Sequence, residues 1–304
     1  MARRGKGRRN RVDGLLLLDK PYGVSSNGAL QQVKRLFNAE KAGHTGSLDP
    51  AATGMLPLCF GEATKVCAFL LDADKTYRVE ARLGSSTDSG DATGQETVTA
   101  AVPALSTDEW DQVLQSFVGD SEQVPPMYSA LKKDGKRLYE LARKGETVER
   151  KPRPIHIDSI SLLEIHGDRL VFRVSCSKGT YVRTLVEDVA TAAGTVAHTR
   201  NLHRERVADF ETAGMHPMGA LESTSSLDDL KALLLPADRA LSGFAQTQLS
   251  SEDAERFCIG QAVSAPSGRD DGLLRVYRDD QTFLGIGELQ NGGLLAPKRV
   301  FRTA

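Results

Sequence analysis

Strand-like and helix-like stretches succeed one another in this chain without a repeating strand–helix–strand unit, and that order limits the fold more than any other feature. A doubly wound parallel sheet requires the repeating unit, so the pattern predicts an α+β fold. Residues 14–18 read as a short buried strand and 21–23 as a turn. Ser25 or Ser26 then caps a helix carrying Leu30, Val33, Leu36 and Phe37 at helical spacing. Residues 42–53 form a polar, glycine-rich loop, and 62–71 return to helix. Further strands are predicted at 76–83, 155–165 and 170–176. Helices are predicted at 107–117 and 181–193, the second with Leu185, Val186 and Val189 on one face.

A composition shift at 241–247 reads as a linker. Beyond it come a short helix at 252–258 closed by Gly260, then strands at 273–277, 282–289 and 294–301, the last two joined by a turn at Asn291-Gly292. The expected organisation is a disordered basic tail over 1–11, a main domain over 12–240 and a small β-rich domain over 248–304.

A length of 304 residues suits about two domains. Hydrophobic residues make up 40 % and charged residues 26 %, enough apolar material for a packed core. The apolar run 15–18 stops at Asp19 and Lys20, far short of the roughly 20 residues a spanning helix needs, so no membrane partner is expected. The first eleven residues hold six basic ones but no apolar core, which excludes a secretory signal. Cys59, Cys67, Cys176 and Cys258 contain no C-x-x-C pair, and the six histidines show no H-E-x-x-H spacing. No disulfide framework or metal site is expected, and a reducing cytoplasm is the expected location.

The net charge is −1, so a polyanion would have to meet local patches. One lies at 132–153, where nine Lys or Arg, beginning with Lys132, oppose four acids. Another holds Arg200, Arg204 and Arg206 with His198 and His203. Such clusters can neutralise backbone phosphates, and by default they are also what solvated surfaces look like.

The loop at 43–54 is the most informative stretch. Its three glycines let backbone approach a large ligand, while His44, Thr45, Ser47 and Asp49 supply polar groups. It lacks the Lys-Ser or Lys-Thr of a phosphate loop, which argues against nucleoside triphosphate binding. Taken singly, its residues have ordinary readings. Asp49 before Pro50 is a turn former, His44 a loop histidine, Tyr77 a strand aromatic and Arg183 a surface residue on a helix's first turn.

Taken together they do not. Gly43-His44-Thr45-Gly46-Ser47-Leu48-Asp49-Pro50, Lys75-Thr76-Tyr77-Arg78 and Cys176-Ser177-Lys178-Gly179-Thr180-Tyr181-Val182-Arg183-Thr184 closely resemble the tRNA pseudouridine-55 synthases of the bacterial TruB type. Leu18-Asp19-Lys20-Pro21, Pro125-Pro126-Met127-Tyr128-Ser129-Ala130 and Leu202-x-Arg204 extend the resemblance over about residues 14–206. Ala51 and His203 depart from the residues common at those positions.

The resemblance implies a pseudouridine synthase fold: a mixed, mainly antiparallel sheet flanked by helices, with a PUA-like RNA-binding domain at the C-terminus. It implies isomerisation of the T-loop uridine of tRNA to pseudouridine, by base flipping, cleavage at C1′ and re-attachment through C5. That reaction gains and loses no atom and needs no cofactor. Asp49 would act as a nucleophile or as a base on the ribose, with Arg183 keeping it ionised through a bidentate fork, and Tyr77 would stack on the uracil. Tyr181 and Leu202 would wall the pocket, and His44 would fill the space left by the flipped base. Lys132 would belong to a mobile thumb at about 124–153 that closes on the RNA, and Arg204 would extend the contact along it. The implied partner is the tRNA T-arm, bound by a monomer without an obligatory protein partner. Competing readings are a guide-RNA-dependent synthase that requires protein partners, a non-catalytic RNA-binding protein, and a nucleoside hydrolase that would release free uracil.

Overall fold

The computed structural model describes residues 9–133, 135–265, 271–290 and 293–302. Strand β1 (Gly14–Lys20) is almost continuously apolar because both of its faces are covered. Helix α1 (Ser26–Leu36) starts at Ser25, whose side chain accepts a hydrogen bond from the Gly28 N–H, and buries Ala29, Leu30 and Val33. The stretch expected to be loop instead holds β2 (Ala42–His44) and the start of β3 (Ala52–Phe60), leaving only residues 45–51 irregular. Residues 61–66 form a 3-10 turn before α2 (Cys67–Asp72), so the helix expected over 62–71 is broken in two.

Next come β4 (Lys75–Leu83), the hairpin β5 (Ser85–Thr87) and β6 (Glu96–Thr99), and α3 (Thr107–Gln115), which opens on a capping box between Ser106 and Glu109. Strand β7 (Gly119–Gln123) precedes a basic excursion made of the hairpin β8 (Lys132–Lys133) and β9 (Lys136–Arg137) and helix α4 (Leu138–Ala142). Strands β10 (Arg153–His166) and β11 (Arg169–Cys176), helix α5 (Val182–Ala192), strands β12 (Ala197–Val207) and β13 (His216–Pro217), and helices α6 (Met218–Ser223) and α7 (Leu227–Ala232) complete the larger part.

The main sheet runs β13-β1-β3-β12-β4-β11-β10-β7, with β2 beside β3. Only β1 with β13 and β3 with β12 pair parallel; the other pairs are antiparallel, so the sheet is mixed and mainly antiparallel as expected. One edge of β3 is shared. β12 pairs with its first residues, Ala52 to Gly54, and β2 with its last, Leu58 to Phe60. Where the two neighbours diverge, the carbonyls of Met55 and Pro57 would be orphaned. Arg204 Nε donates to Met55 O (2.7 Å) and the Thr45 N–H to Pro57 O (3.1 Å), which satisfies both.

The strand character of β3 is hidden in the sequence by Gly54 and Pro57, yet both residues fit. Pro57 lies where no neighbour needs its missing N–H. Gly54 has φ +97°, and a Cβ there would come within 2.3 Å of Arg204 O on β12. On the α5 side of the sheet, Val79, Phe172, Val174 and Leu185 join Trp110 and Leu114 of α3 in one buried cluster.

The C-terminal part is a five-stranded sheet, β14 (Gln246–Leu249), β16 (Gly272–Arg278), β17 (Phe283–Gln290), β18 (Leu294–Val300) and β15 (Val263–Ser264) in spatial order, with α8 (Ser251–Cys258) packed against it. Its own core gathers Leu249, Phe257, Val276, Leu284 and Leu295. The predicted Asn291-Gly292 turn lies outside the described residues. The segment expected as a linker is packed: Phe244 sits edge-on to Phe69 at 5.4 Å. Ile286 and Phe301 enter a cluster with Leu15, Leu17 and Met55, and Lys65 Nζ donates to Val300 O at 2.6 Å. The tail expected to be disordered over 1–11 is held at its inner end, where the Asn10 N–H donates to Asn38 O and the Glu40 N–H to Asn10 O; residues 1–8 lie outside the described residues.

Replacing Gly54 by Ala forces β3 and β12 apart and strains a left-handed backbone. Urea unfolding of G54A is expected to show a loss on the order of 3 kcal/mol. A loss within 0.5 kcal/mol, the size of an ordinary surface change, would contradict the close approach.

Candidate active site

Residues 45–51 have no regular structure of their own, so their shape depends on what grips them. Ser26 Oγ accepts from the Leu48 N–H (2.7 Å) and donates to Leu48 O (2.9 Å). The Gly23 N–H donates to Pro50 O (2.8 Å), and Arg204 Nη2 donates to Gly46 O (3.1 Å). Lys20 is fully buried, and its ammonium donates to Val24 O (2.7 Å), Pro21 O (2.9 Å) and, at longer range, Pro50 O (3.4 Å). The Ala52 N–H closes the turn on Asp49 O (3.0 Å). The anchors come from the stretch 20–26, from Arg204 far along the chain and from the loop's own end, and together they aim one side chain, Asp49, into a cavity of about 310 Å³. That volume is at the lower end of the range for small-molecule pockets.

Arg183 Nε lies 3.0 Å from Asp49 Oδ2. The contact is not the bidentate fork that was expected. Nη1 instead donates to Ser89 O and Nη2 to Tyr128 O (2.6 Å), so the guanidinium ties three chain segments together around the carboxylate. Nor is Arg183 the surface residue its helix position suggested: it is buried, enclosed by the Asp49 loop, the turn at Ser89 and the segment at Tyr128 to which it bonds.

Asp49 keeps 46 % of its side-chain surface open to the cavity. Burial in the cleft raises its pKa above the ordinary value and is the largest influence; Arg183 and Lys20 pull the pKa down, and the nearby charge of Asp91 pushes it up. The guanidinium therefore opposes desolvation, as anticipated, without cancelling it.

Tyr77, Tyr181, Leu202 and Arg204 line the same cavity. Tyr77 is buried on β4 with its phenol pKa raised by burial, and Arg204 lies beside it on the neighbouring strand. Arg204 departs from expectation. With 1 % exposure and donors committed to Met55 O and Gly46 O, it forms the cavity floor and presents no cation at the surface. His44 and Lys132 do not line the cavity. His44 is half-buried on β2, and its Nδ1 is buried without a hydrogen-bond partner among the described residues. Burial and Arg204 lower its pKa, which favours the neutral ring. Lys132 is exposed on the β8–β9 hairpin.

Several contributors were missed by sequence reasoning. Lys75 lines the cavity, donates to Leu71 O (2.7 Å) and Ala73 O, and has its pKa lowered by burial to about 8; Lys20 is likewise lowered to about 8. Ser26 and Gln123 are buried supports. The only signal for Lys20 and Lys75 was their place inside recognisable blocks.

The TruB family pseudouridylate synthase N-terminal domain matches residues 34–182. The tRNA pseudouridylate synthase B C-terminal domain matches 183–242, and the pseudouridine synthase II TruB C-terminal domain matches 245–301. The tRNA pseudouridine synthase B of Dechloromonas aromatica (strain RCB) is 50 % identical over 293 residues, covering 96 % of this chain and 97 % of that one. That of Stutzerimonas stutzeri (strain A1501) is 47 % identical over 298 residues, covering 97 % of each. Among solved structures, Cbf5 in a Cbf5–Nop10–Gar1 complex superimposes with a TM-score of 0.73 at 23 % identity, over 95 % of this chain and 85 % of that one, and shares the fold. The architecture is that of the pseudouridine synthases, which are isomerases. Within that class, the chain belongs to the TruB family of pseudouridylate synthases.

The buried lysines carry a pH signature. Lys75 titrates near 8 in the fold and near 10.5 when unfolded, so between those values the unfolded state binds the extra proton and stability rises with pH. The stability advantage of the protein over K75M, measured by urea unfolding, is expected to grow by on the order of 1–3 kcal/mol from about pH 8 to about pH 10. A pH-independent difference would show that Lys75 is not desolvated.

Proposed function

We propose that the protein converts the T-loop uridine of tRNA to pseudouridine, with Asp49, Tyr77 and Arg183 at the reacting nucleoside. The observation that carries this reading is the 3.0 Å pair between Asp49 and Arg183, set beside the Tyr77 ring in a cavity of nucleoside size. The target base leaves its stack at a cost of a few kcal/mol and enters the cavity. Tyr77 stacks on the uracil, Tyr181 and Leu202 bound it, and His44, neutral, takes the vacated place.

The C1′–N1 bond breaks, the freed base turns, and C5 bonds to C1′ while its proton leaves and N1 gains one. Asp49 acts either as nucleophile toward the nucleoside or as base at the ribose; a carboxylate made more basic by its surroundings suits the second role particularly well. Arg183 keeps the carboxylate aimed and offsets the charge in the cleft.

The basic excursion at about 124–153 closes on the RNA backbone. There the guanidinium groups of Arg137 and Arg143 lie over the Tyr139 ring at 5.9 and 5.6 Å from its centre, on a cationic excursion that also carries Lys132. The domain at 248–304, PUA-like, extends the contact from the T-arm toward the acceptor end. The protein works in the cytoplasm as a monomer without an obligatory protein partner.

Incubating the purified chain with an unmodified tRNA transcript and no additives, then mapping pseudouridine, tests the reading directly. Conversion at the T-loop uridine is expected; free uracil as the product would overturn it. Asp49→Asn is expected to abolish conversion while tRNA affinity stays within about tenfold, because few phosphate contacts are lost. The unaltered protein should lose activity on the acid side with a midpoint above 3.8, since the raised pKa of Asp49 removes the ionised form earlier as pH falls. In salt titrations, Lys132→Ala is expected to flatten the dependence of tRNA affinity on salt by about one counterion, while Arg204→Met, altering a buried group, leaves that slope unchanged.

A further inference from the structure

Gln123 ends β7 where the chain leaves the sheet for the basic excursion, and its side chain is buried. Its amide pairs with the main chain of Tyr181, 58 residues away: Oε1 accepts from the Tyr181 N–H (2.8 Å) and Nε2 donates to Tyr181 O (3.1 Å). An amide side chain thus replaces one rung of a β-ladder. Tyr181 is the residue before α5 and supplies no side-chain cap to it, so this clamp, together with the ordinary helical bond from the Leu185 N–H, holds the point where the helix begins.

Two residues further on, Arg183 reaches Asp49 and also donates to Tyr128 O, five residues beyond Gln123. The contacts close a ring: Gln123 to Tyr181, along α5 to Arg183, across to Tyr128, and back along the chain. Breaking the clamp frees the helix start while leaving every group that faces the cavity chemically intact.

We propose that Gln123 is a positioning residue for the reaction, setting Arg183 against Asp49 by clamping the main chain of Tyr181 at the root of the excursion. The inference rests on the functional reading above. A misplacement of about 1 Å at a reacting group can cost on the order of a hundredfold in rate, so an indirect anchor of this kind has a measurable effect. Asp49 faces Arg183 from α5, Lys20 from β1, Asp91 from the β5–β6 connection, and the phenols of Tyr77 and Tyr181. Loosening Arg183 alone removes an influence that favours the ionised carboxylate.

The test uses the full chain with Gln123→Met, similar in length and unable to make either bond, and Gln123→Glu, which keeps the acceptor but turns a carboxylate oxygen toward Tyr181 O. Single-turnover conversion of a tRNA transcript is expected to fall at least tenfold in both variants, with tRNA affinity within threefold. In both, the acid limb of the rate should move to higher pH, and in Gln123→Met, which loses the acceptor, hydrogen exchange at the Tyr181 amide should quicken. Rates within threefold of the unaltered protein, an unmoved acid limb, or rate and affinity falling together would each overturn the proposal. If the unaltered protein makes no pseudouridine, the functional reading fails, and the exchange measurement still decides whether the clamp exists.

Discussion

A carboxylate on an irregular loop has no preferred direction unless something outside the loop holds it, and here the holders are buried cations bonded to backbone carbonyls. Lys20 and Arg204 fasten the loop between β2 and β3, Arg183 fastens its carboxylate, and Lys75 fastens the chain below the cavity. Burying four positive charges in one region is costly, and each is tolerated because carbonyl or carboxylate oxygens surround it. The lowered pKa values of Lys20 and Lys75 reflect that cost.

The sheet makes the arrangement possible. Because β3 is flanked on one edge first by β12 and then by β2, a gap opens between them, and the gap leaves carbonyls that a long cationic side chain can reach. Gly54 permits the close strand approach that brings Arg204 there. The packing of the sheet and the geometry of the cavity thus share the same residues, and a change that loosens one loosens the other. On the opposite wall, the start of α5 supplies Arg183, while the root of the basic excursion supplies Tyr128 O, so the carboxylate lies between a rigid side and a peripheral one.

Much of this was legible before any coordinates. Capped amphipathic helices such as 107–117 and apolar alternation at 76–83 are local signals, and both segments fold as their patterns indicate. β3 was not legible, since Gly54 and Pro57 each argue against a strand and only the neighbouring strands show why both are tolerated. β12 was hidden because its residues are mostly charged and polar and do not alternate with apolar ones: Arg200, Asn201 and Arg206 are exposed, while His198, Thr199 and Arg204 are buried. Six of the eight side chains singled out for the site line one cavity, while His44 and Lys132 lie elsewhere. Arg204 was read as a surface cation because charge at a sequence position says nothing about depth.

The sequence by itself determined the class of fold and singled out six side chains that meet at one cavity, because periodicity, caps and short motifs are written locally. Only the tertiary structure decided which cations are buried, that Arg183 meets Asp49 through a single nitrogen, and that Gln123 clamps Tyr181. Those contacts join residues as many as 158 positions apart, and their distances and desolvation arise only when strands distant in the chain become neighbours.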